Sequence, residues 1–244
     1  MLARFEQIQC AKPSFILTGG MKGLVTEGLV AHYTFNKGSG TILPDYSGNL
    51  YHGTITGATW TGQGLSFGGD DYVAIGNMGS PTLKTIQLVF YNGSNITPAT
   101  GAQTLFQDGV LTGTDRGFIG LGTMTGLLTN EIICVGDRSN GRSGWCDASG
   151  NLAAGWHVAD FVWGGSKYRI IIDGAEKTIT TAGTPIPLVA NNVYLGSFSD
   201  GTTCFTGIMG YMLPYTNPLT NAELSQNRKY LKSIMAQRGI SLPE

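Results

Sequence analysis

Short apolar runs separated by glycine-containing turns dominate the sequence from residue 28 onward. The runs 72–76, 85–91 and 168–172 are too short for a stable helix and are rich in β-branched and aromatic residues. Glycine accounts for 37 of the 244 residues, where roughly 7 % is usual, and the glycines follow no collagen-like period. This pattern predicts many strands joined by tight turns, and it excludes a helical bundle or a coiled coil.

The charge of the chain is low and balanced. Charged residues make up 13 % of the sequence, where roughly 25 % is usual. The 15 Lys and Arg residues nearly cancel the 16 Asp and Glu residues, which leaves a net charge of −1. The cations form no basic stripe, so no nucleic-acid partner is expected. So low a charge suits a subunit held in an oligomeric assembly.

The N-terminal stretch 1–27 is glycine-rich and shows no clear periodicity. Arg4 and Glu6 stand where the apolar part of a signal peptide would begin, so no removable signal peptide is expected. No apolar run approaches the length that spans a bilayer, so no membrane insertion is expected. We predict an arm over 1–27, a possible docking segment, followed by one domain over 28–244.

Four cysteines are present, Cys10, Cys134, Cys146 and Cys204, and none of them has the C-x-x-C spacing of a zinc site. Cys134 and Cys146 are spaced so that a bond between them could close a loop. Partly buried, reduced thiols are the favoured interpretation, and whether these two cysteines are bonded is left open.

Two local elements are predicted with a physical mechanism. Asp173-Gly174 stands between two strand-like runs and predicts a hairpin with a type I′ turn, because both central positions need a positive φ. Near the C-terminus, Thr220 and Glu223 form a capping-box pattern. They predict a helix over about 220–238, with Gly239 as its C-cap.

Three separated blocks, 28–77, 155–180 and 193–227, carry a resemblance to a known family. The first block has an aromatic-x-Phe strand end at Tyr33 and Phe35, a D-x-S-G-N turn, H-G-T, and the run L-S-F-G-G-D-D-Y-V over residues 65–73. The second has G-W-H-V-A followed by a D-G hairpin, and the third has L-G, F-x-G-x-M and a closing L-x-x-x-E helix. In this order the blocks resemble the concanavalin A-like lectin/glucanase superfamily, in its laminin G-like branch.

The resemblance implies an all-β fold in which two antiparallel sheets pack as a jelly-roll sandwich, with a C-terminal helix. The superfamily includes sugar-binding modules, protein-interaction modules and a few glycanases. Single-domain members without a signal peptide that end in such a helix look like bacteriophage virion proteins. Because one fold hosts many functions, function has to be argued from the site.

A paired-carboxylate site is not evident. Glycoside hydrolysis needs two carboxyl groups at a defined separation, and none of the six glutamates has an Asp two residues further on. Glu131 and Asp137 would share one face of an unbroken strand, but Gly136 is expected to end that strand. We therefore predict that the chain is not an enzyme.

The polar segment 136–151 is the candidate for binding a glycan or a partner, because loops on a rigid sandwich carry function. Its tryptophan is either a binding platform or a lid on an exposed edge, whereas Trp60 and Trp156 are expected to pack in the core. The candidate residues are Trp145, Asp137, Arg138, Asn140, Arg142 and Asp147.

Asp70 and Asp71, which follow two glycines, form a candidate Ca²⁺ site, because Ca²⁺ takes carboxylate and carbonyl oxygens. In the simpler interpretation these carboxylates accept hydrogen bonds from the backbone of the turn. No other cofactor is expected.

The leading hypothesis from the sequence is a non-enzymatic bacteriophage virion protein, a capsid decoration or a tail-fibre component. It would be assembled in the host cytoplasm with other virion proteins, and it would contact cell-surface glycans. The alternative is a cellular or secreted carbohydrate-binding module or lectin, which includes a fragment of a larger secreted enzyme, and its location would then be extracellular. A third hypothesis is a glycanase with unrecognised carboxylates.

Overall fold

Two antiparallel sheets packed face to face form the body of the protein. A computed structural model describes the following residues: 22–97, 100–109, 116–122, 131–137, 144–183, 185–198, 201 and 203–243. Within these residues every strand pairing inside the sheets is antiparallel. The predicted all-β, two-sheet sandwich with a C-terminal helix is confirmed.

Within the described part of the chain, one sheet has nine strands. In spatial order they are β1 (Ile42–Leu43), β2 (Gly53–Thr56), β5 (Tyr72–Gly76), β17 (Val193–Leu195), β8 (Gln103–Gly109), β9 (Arg116–Leu121), β10 (Glu131–Asp137), β11 (Gly144–Ser149) and β15 (Ile179–Ala182).

The other sheet has seven strands among the described residues, which also form a separate two-stranded ladder. The seven are, in spatial order, β14 (Ala175–Glu176), β13 (Tyr168–Ile172), β12 (Gly155–Trp163), β7 (Thr85–Asn92), β18 (Gly207–Tyr215), β4 (Leu65–Phe67) and β3 (Thr59–Trp60). The ladder pairs β6 (Thr82–Leu83) with β16 (Leu188–Val189).

The main core lies between the two sheets and is built by strand alternation. Leu88 and Phe90 of β7 point inward from the seven-stranded sheet, and Phe106 and Ile119 do so from the nine-stranded sheet. All four are at most 1 % exposed. Because successive side chains of a strand point to opposite faces, the residues between them form the outer faces of the sandwich.

The C-terminal helix α1 (Asn221–Ala236) covers the outer face of the seven-stranded sheet. The predicted capping box is present, since Thr220 and Glu223 each accept a hydrogen bond from the other's backbone N–H. The predicted C-cap is wrong by two residues. The helix ends at Ala236 with Gln237 as its cap, and Gly239 lies beyond it with φ +74°. There the N–H of Gly239 donates to Ala236 O and closes the last turn.

A buried polar network joins α1 to this sheet. Asn227 donates to Gln87 Oε1 at 2.6 Å and to Tyr215 Oη at 2.9 Å. Gln87 Nε2 donates to the Asp160 carboxylate at 2.8 Å, and Arg228 of the helix also donates to that carboxylate. Because each buried polar group left without a partner would cost about 1–3 kcal/mol, the network fixes the position of the helix on the sheet.

The segment before the first strand belongs to the same cluster. Of the predicted arm 1–27, residues 1–21 lie outside the described residues. Leu24 is buried among the helix contacts, and the N–H of Val25 donates to Asn227 Oδ1 at 2.8 Å. Residues 22–27 therefore pack on the domain, and docking on a partner stays a prediction.

The predicted hairpin turn is confirmed. Asp173 has φ +52° and Gly174 has φ +78°, as a type I′ turn requires. The Asp173 carboxylate also accepts hydrogen bonds from the N–H of Val158 at 2.9 Å and from His157 Nδ1 at 2.7 Å. The turn residue thus ties the hairpin back to β12.

Among the described residues, no helix is both long and apolar enough to cross a membrane.

Some glycines of this fold are needed only for their positive φ, and others also because a side chain packs against them, so alanine substitutions should differ in their effect on the free energy of unfolding. Gly196 has φ +85°, and a Cβ there would overlap the Phe67 ring; Gly69 has φ +78° but faces open space. We expect Gly69→Ala to cost about 1 kcal/mol through backbone strain alone. Overpacking adds to that strain in Gly196→Ala, which should cost roughly 3 kcal/mol or more.

Chemical denaturation of both variants measures these free energies. Gly62→Ala is the control, since Gly62 has open space and needs no positive φ. Equal losses at Gly69 and Gly196 would contradict the close approach of Phe67.

Buried His32 makes the stability depend on pH. Its Nε2 lies 2.5 Å from Tyr211 Oη, which is 3.1 Å from Tyr230 Oη. Burial lowers the pKa of His32 from 6.5 to about 4, and the nearby Asp45 carboxylate offsets only part of this effect. The neutral ring is therefore the form that the fold accommodates.

Because the pKa is lower in the folded state, the unfolded chain binds more protons between pH 6.5 and pH 4. The contribution of His32 to the free energy of unfolding is fully present above pH 6.5 and is lost as the pH drops through this window. We expect a loss of about 2 kcal/mol between pH 7 and pH 5 that His32→Gln removes. Urea unfolding at both pH values measures the loss, and an unchanged pH slope in the variant would contradict the assignment.

Candidate functional site

Two tyrosines lie side by side on the outer face of the nine-stranded sheet. The ring centroids of Tyr72 and Tyr194 are 6.0 Å apart, with the ring planes at 54°. Both side chains are half-buried, while their strand neighbours Val73 and Leu195 are fully buried in the main core. Strand alternation therefore turns the two tyrosine rings away from the core and toward solvent.

Cross-strand register surrounds this pair with small, uncharged residues. Tyr194 pairs with Ala74, Ala74 with Thr54, and Thr54 with Ile42 of the edge strand β1. Thr54 is exposed, and the Ile42 side chain is 40 % exposed. In the next row Thr56 pairs with Tyr72. We call this surface the tyrosine platform; its members are Ile42, Thr54, Thr56, Tyr72, Ala74 and Tyr194.

On the side away from β1, the same face is closed. Gln107 pairs with Tyr194 and is 0 % exposed, and its next partner Phe118 is 1 % exposed. The Phe118 ring meets the ring of Phe198 edge-on, with centroids 6.0 Å apart. Phe198 follows β17 in the chain, so the segment after that strand folds over β9 and bounds the platform.

The segment 136–151 was predicted to be a polar loop, and that prediction is corrected: among its described residues, 136–137 and 144–149 lie in the paired strands β10 and β11. Strand β10 does not end at Gly136 but continues to Asp137, and it pairs with β11 as far as Gly144. Gly136 is tolerated there because its neighbours on β9 and β11 supply ladder hydrogen bonds on both sides.

Of the six predicted site residues, three lie on strands β10 and β11 and three lie outside the described residues. Trp145 pairs with Gly136, which pairs with Phe118, so the row that begins at Tyr194 reaches Trp145 by register. Asp147 is two positions further along β11, whereas Asp137 is the last residue of β10 and pairs with Gly144. The predicted Arg138, Asn140 and Arg142 lie outside the described residues.

The cysteine pair also has a defined register. Val135, not Cys134, is the Cα partner of Cys146, and Cys134 pairs with Asp147. Cys146 is buried, and its sulfur accepts a hydrogen bond from the N–H of Tyr168 at 3.2 Å. Cys146 thus occupies a core position of β11.

The turn that precedes Tyr72 holds the candidate calcium ligands. Asp71 Oδ2 accepts the N–H of Gly68 at 2.7 Å, and the carboxylate lies against Gly57, where a Cβ would overlap it. Asp70 is exposed. Among the described residues, no three His, Cys, Asp or Glu side chains are grouped so that they could hold a metal ion. This geometry favours the turn interpretation, and calcium binding stays a prediction.

The other tryptophans pack as expected. Trp60 is half-buried against the main core and donates from Nε1 to Gly40 O at 2.7 Å. Trp156 packs beside the helix cluster, with its ring 5.6 Å from that of Tyr91.

Sequence reasoning missed Tyr72 and Tyr194 as site residues. The period-two alternation in 72–76 and 193–195 was visible and assigns both tyrosines to the face opposite Val73 and Leu195. The sequence does not show that the two tyrosines are adjacent, because Tyr194 comes next to Tyr72 only through the pairing of β17 with β5.

Such a surface suits the recognition of sugars. Sugar rings present apolar C–H faces and a rim of hydroxyl groups, and tyrosine offers a flat apolar ring with a polar tip. Thr54 and Thr56 add hydroxyl groups that can donate or accept hydrogen bonds. Aromatic surface with a few placed polar groups is the usual composition of a small-molecule site.

No protein-family model matches the sequence, and no curated protein matches it. Solved structures do match its fold. Domain 4 of AbnA, a GH43 extracellular arabinanase from Geobacillus stearothermophilus, solved in complex with arabinotriose, matches with a TM-score of 0.58 and 20 % identity. The match covers 81 % of this chain and 96 % of that domain.

Sialidase from Trypanosoma rangeli, in complex with the inhibitor DANA, matches with a TM-score of 0.58 and 12 % identity over 86 % of this chain and 34 % of the sialidase. A second structure of that sialidase gives a TM-score of 0.52 at 13 % identity, with 88 % and 33 % covered. The chain thus spans about a third of the length of the sialidases that it matches. At these identities the likeness shows the fold alone, a two-sheet β-sandwich.

These findings overturn two predictions. The matched structures belong to an arabinanase and to sialidases, which are carbohydrate-active enzymes, and nothing in them supports a bacteriophage virion protein or its laminin G-like type. The prediction that the chain is not an enzyme is likewise contradicted. The alternative, a carbohydrate-binding module or part of a larger secreted enzyme, agrees better with the matches.

The role of Asp71 can be tested by thermal unfolding in CaCl₂ and in EDTA. If Asp71 serves the turn, Asp71→Ala lowers the melting temperature by the same few degrees in both solutions, because a hydrogen bond to a carboxylate is worth roughly 1.5–3 kcal/mol. Asp70→Ala, the exposed neighbour, is the control. A calcium-dependent rise in the melting temperature that Asp71→Ala abolishes would establish the calcium site instead.

Proposed function

We propose that this protein binds carbohydrate through the tyrosine platform, as the sugar-binding part of an extracellular carbohydrate-active enzyme. The observation that carries the proposal is the half-exposed pair Tyr72 and Tyr194, held 6.0 Å apart on a rigid sheet and flanked by exposed threonine hydroxyls. A surface preorganised in this way loses little side-chain entropy when a sugar ring binds.

The structural comparisons support the same ligand class. The arabinanase domain that matches 81 % of this chain was solved with arabinotriose, and the sialidases that match also act on carbohydrate. All six platform residues are uncharged, so a neutral sugar unit is the proposed ligand. Arabinose oligosaccharides are therefore the first probes, and sialyllactose is the charged comparison.

The hairpin of β10 and β11 remains a second proposed contact region. Trp145 continues the register row of Tyr194, and Asp147 stands on the same strand. Together with Asp137, Arg138, Asn140 and Arg142, these residues are proposed to contact a glycan or a protein partner. Binding studies on Trp145→Ala and on Tyr194→Ala separate this region from the platform.

For the platform we expect Tyr194→Ala to weaken binding of an arabinose oligosaccharide at least tenfold, which corresponds to about 1.4 kcal/mol. Tyr194→Phe keeps the ring and should lose less. Isothermal titration calorimetry measures the affinities.

Tyr91→Ala is the matched control, because Tyr91 is also a half-buried tyrosine in an aromatic pair but lies on the other sheet. Equal affinities for wild type, Tyr194→Ala and Tyr72→Ala would refute the platform. If only Trp145→Ala weakens binding, the site lies on the hairpin.

A further inference from the structure

We infer that the tyrosine platform receives the end of a glycan chain rather than its middle. This inference rests on the proposed sugar binding and adds which part of the glycan is recognised. It follows from an asymmetry of the face: one side of the platform is open, and the other is walled.

The open side runs toward the edge of the sheet. From Tyr194 the row passes Ala74 and Thr54 and reaches Ile42 on the edge strand β1. Adjacent strands are about 4.8 Å apart, so three intervals give a strip of roughly 14 Å. Along this strip Thr54 and Ile42 are exposed. A chain lying across the strands can therefore leave the protein at β1.

The walled side begins directly beside Tyr194. Gln107, its cross-strand partner, is completely buried although it belongs to the outward row, and Phe118 beyond it is covered edge-on by Phe198. Sugar units cannot continue over β8 and β9 without displacing packed aromatic rings. The unit that stacks on Tyr194 is consequently the last unit of its chain.

The platform itself has room for few units. The strip from Tyr194 to Ile42 crosses only four strands, and Tyr72 flanks it at the Tyr194 end. Among the described residues β1 is the edge strand of this sheet, so units beyond Ile42 would have no further strand to lie on. Contacts therefore accumulate at the chain end, and lengthening the glycan adds none.

Calorimetry with linear arabinose oligosaccharides of three, five and eight units tests the inference on the full chain. End recognition predicts the same dissociation constant per oligosaccharide molecule, within about twofold, because each molecule has one matching end. Recognition of internal units predicts an affinity that rises with length, because longer chains offer more overlapping sites.

Removing the wall supplies the second measurement. Phe198→Ala takes away the ring that covers Phe118, and we expect the affinity of this variant to become dependent on chain length. Circular dichroism and the melting temperature check that it is folded, and Trp163→Ala, a half-buried aromatic on the other sheet, is the matched control.

The outcomes separate the two proposals. A length-independent affinity that Tyr194→Ala abolishes supports the inference. An affinity that rises with length in the wild type, and is still lost in Tyr194→Ala, overturns end recognition and leaves the platform in place. Failure of the wild type to bind any of the three oligosaccharides would refute both.

Discussion

The central strands of the seven-stranded sheet are buried on both faces, and the rest of the structure follows from this constraint. Most residues of β7 and β12 are buried, so one face needs the opposite sheet and the other needs a cover. Helix α1 is that cover. Its position is fixed by Asn227 and Arg228, which satisfy the polar side chains Gln87 and Asp160 beneath it.

The buried Asp160 carboxylate between helix α1 and the sheet is subject to opposing electrostatic effects. Loss of hydration raises the pKa of Asp160, while the Arg228 cation and the hydrogen bond from Gln87 act in the opposite direction. A buried ion pair such as Asp160 with Arg228 adds little net stability compared with a pair of apolar side chains in the same place. Its main effect is therefore to define a single position of helix α1 on the sheet. With one outer face sealed, the face on β2, β5 and β17 is available for a ligand.

Local chemistry made several elements predictable. Both the type I′ turn at Asp173-Gly174 and the capping box of Thr220 and Glu223 involve residues at most three positions apart. All the residues that form each feature can therefore be read from a short stretch of sequence. The hairpin of β10 and β11 was mistaken for a loop because polar, glycine-rich residues resemble a turn cluster. Its strands are held by their neighbours β9 and β15, which no local pattern reveals.

The sequence by itself determined the fold class, because alternating short runs and glycine turns leave a β-sandwich with one helix as the consistent solution. Alternation within each strand also separates Tyr72 from Val73 and Tyr194 from Leu195, but burial of Val73 and Leu195 in the tertiary structure is what makes the tyrosine face the outer one. Only the tertiary structure decided that these two rings meet and that Phe198 closes one side of their surface. Their strands are more than a hundred residues apart in the chain, and pairing between distant segments depends on the packing of the whole sandwich.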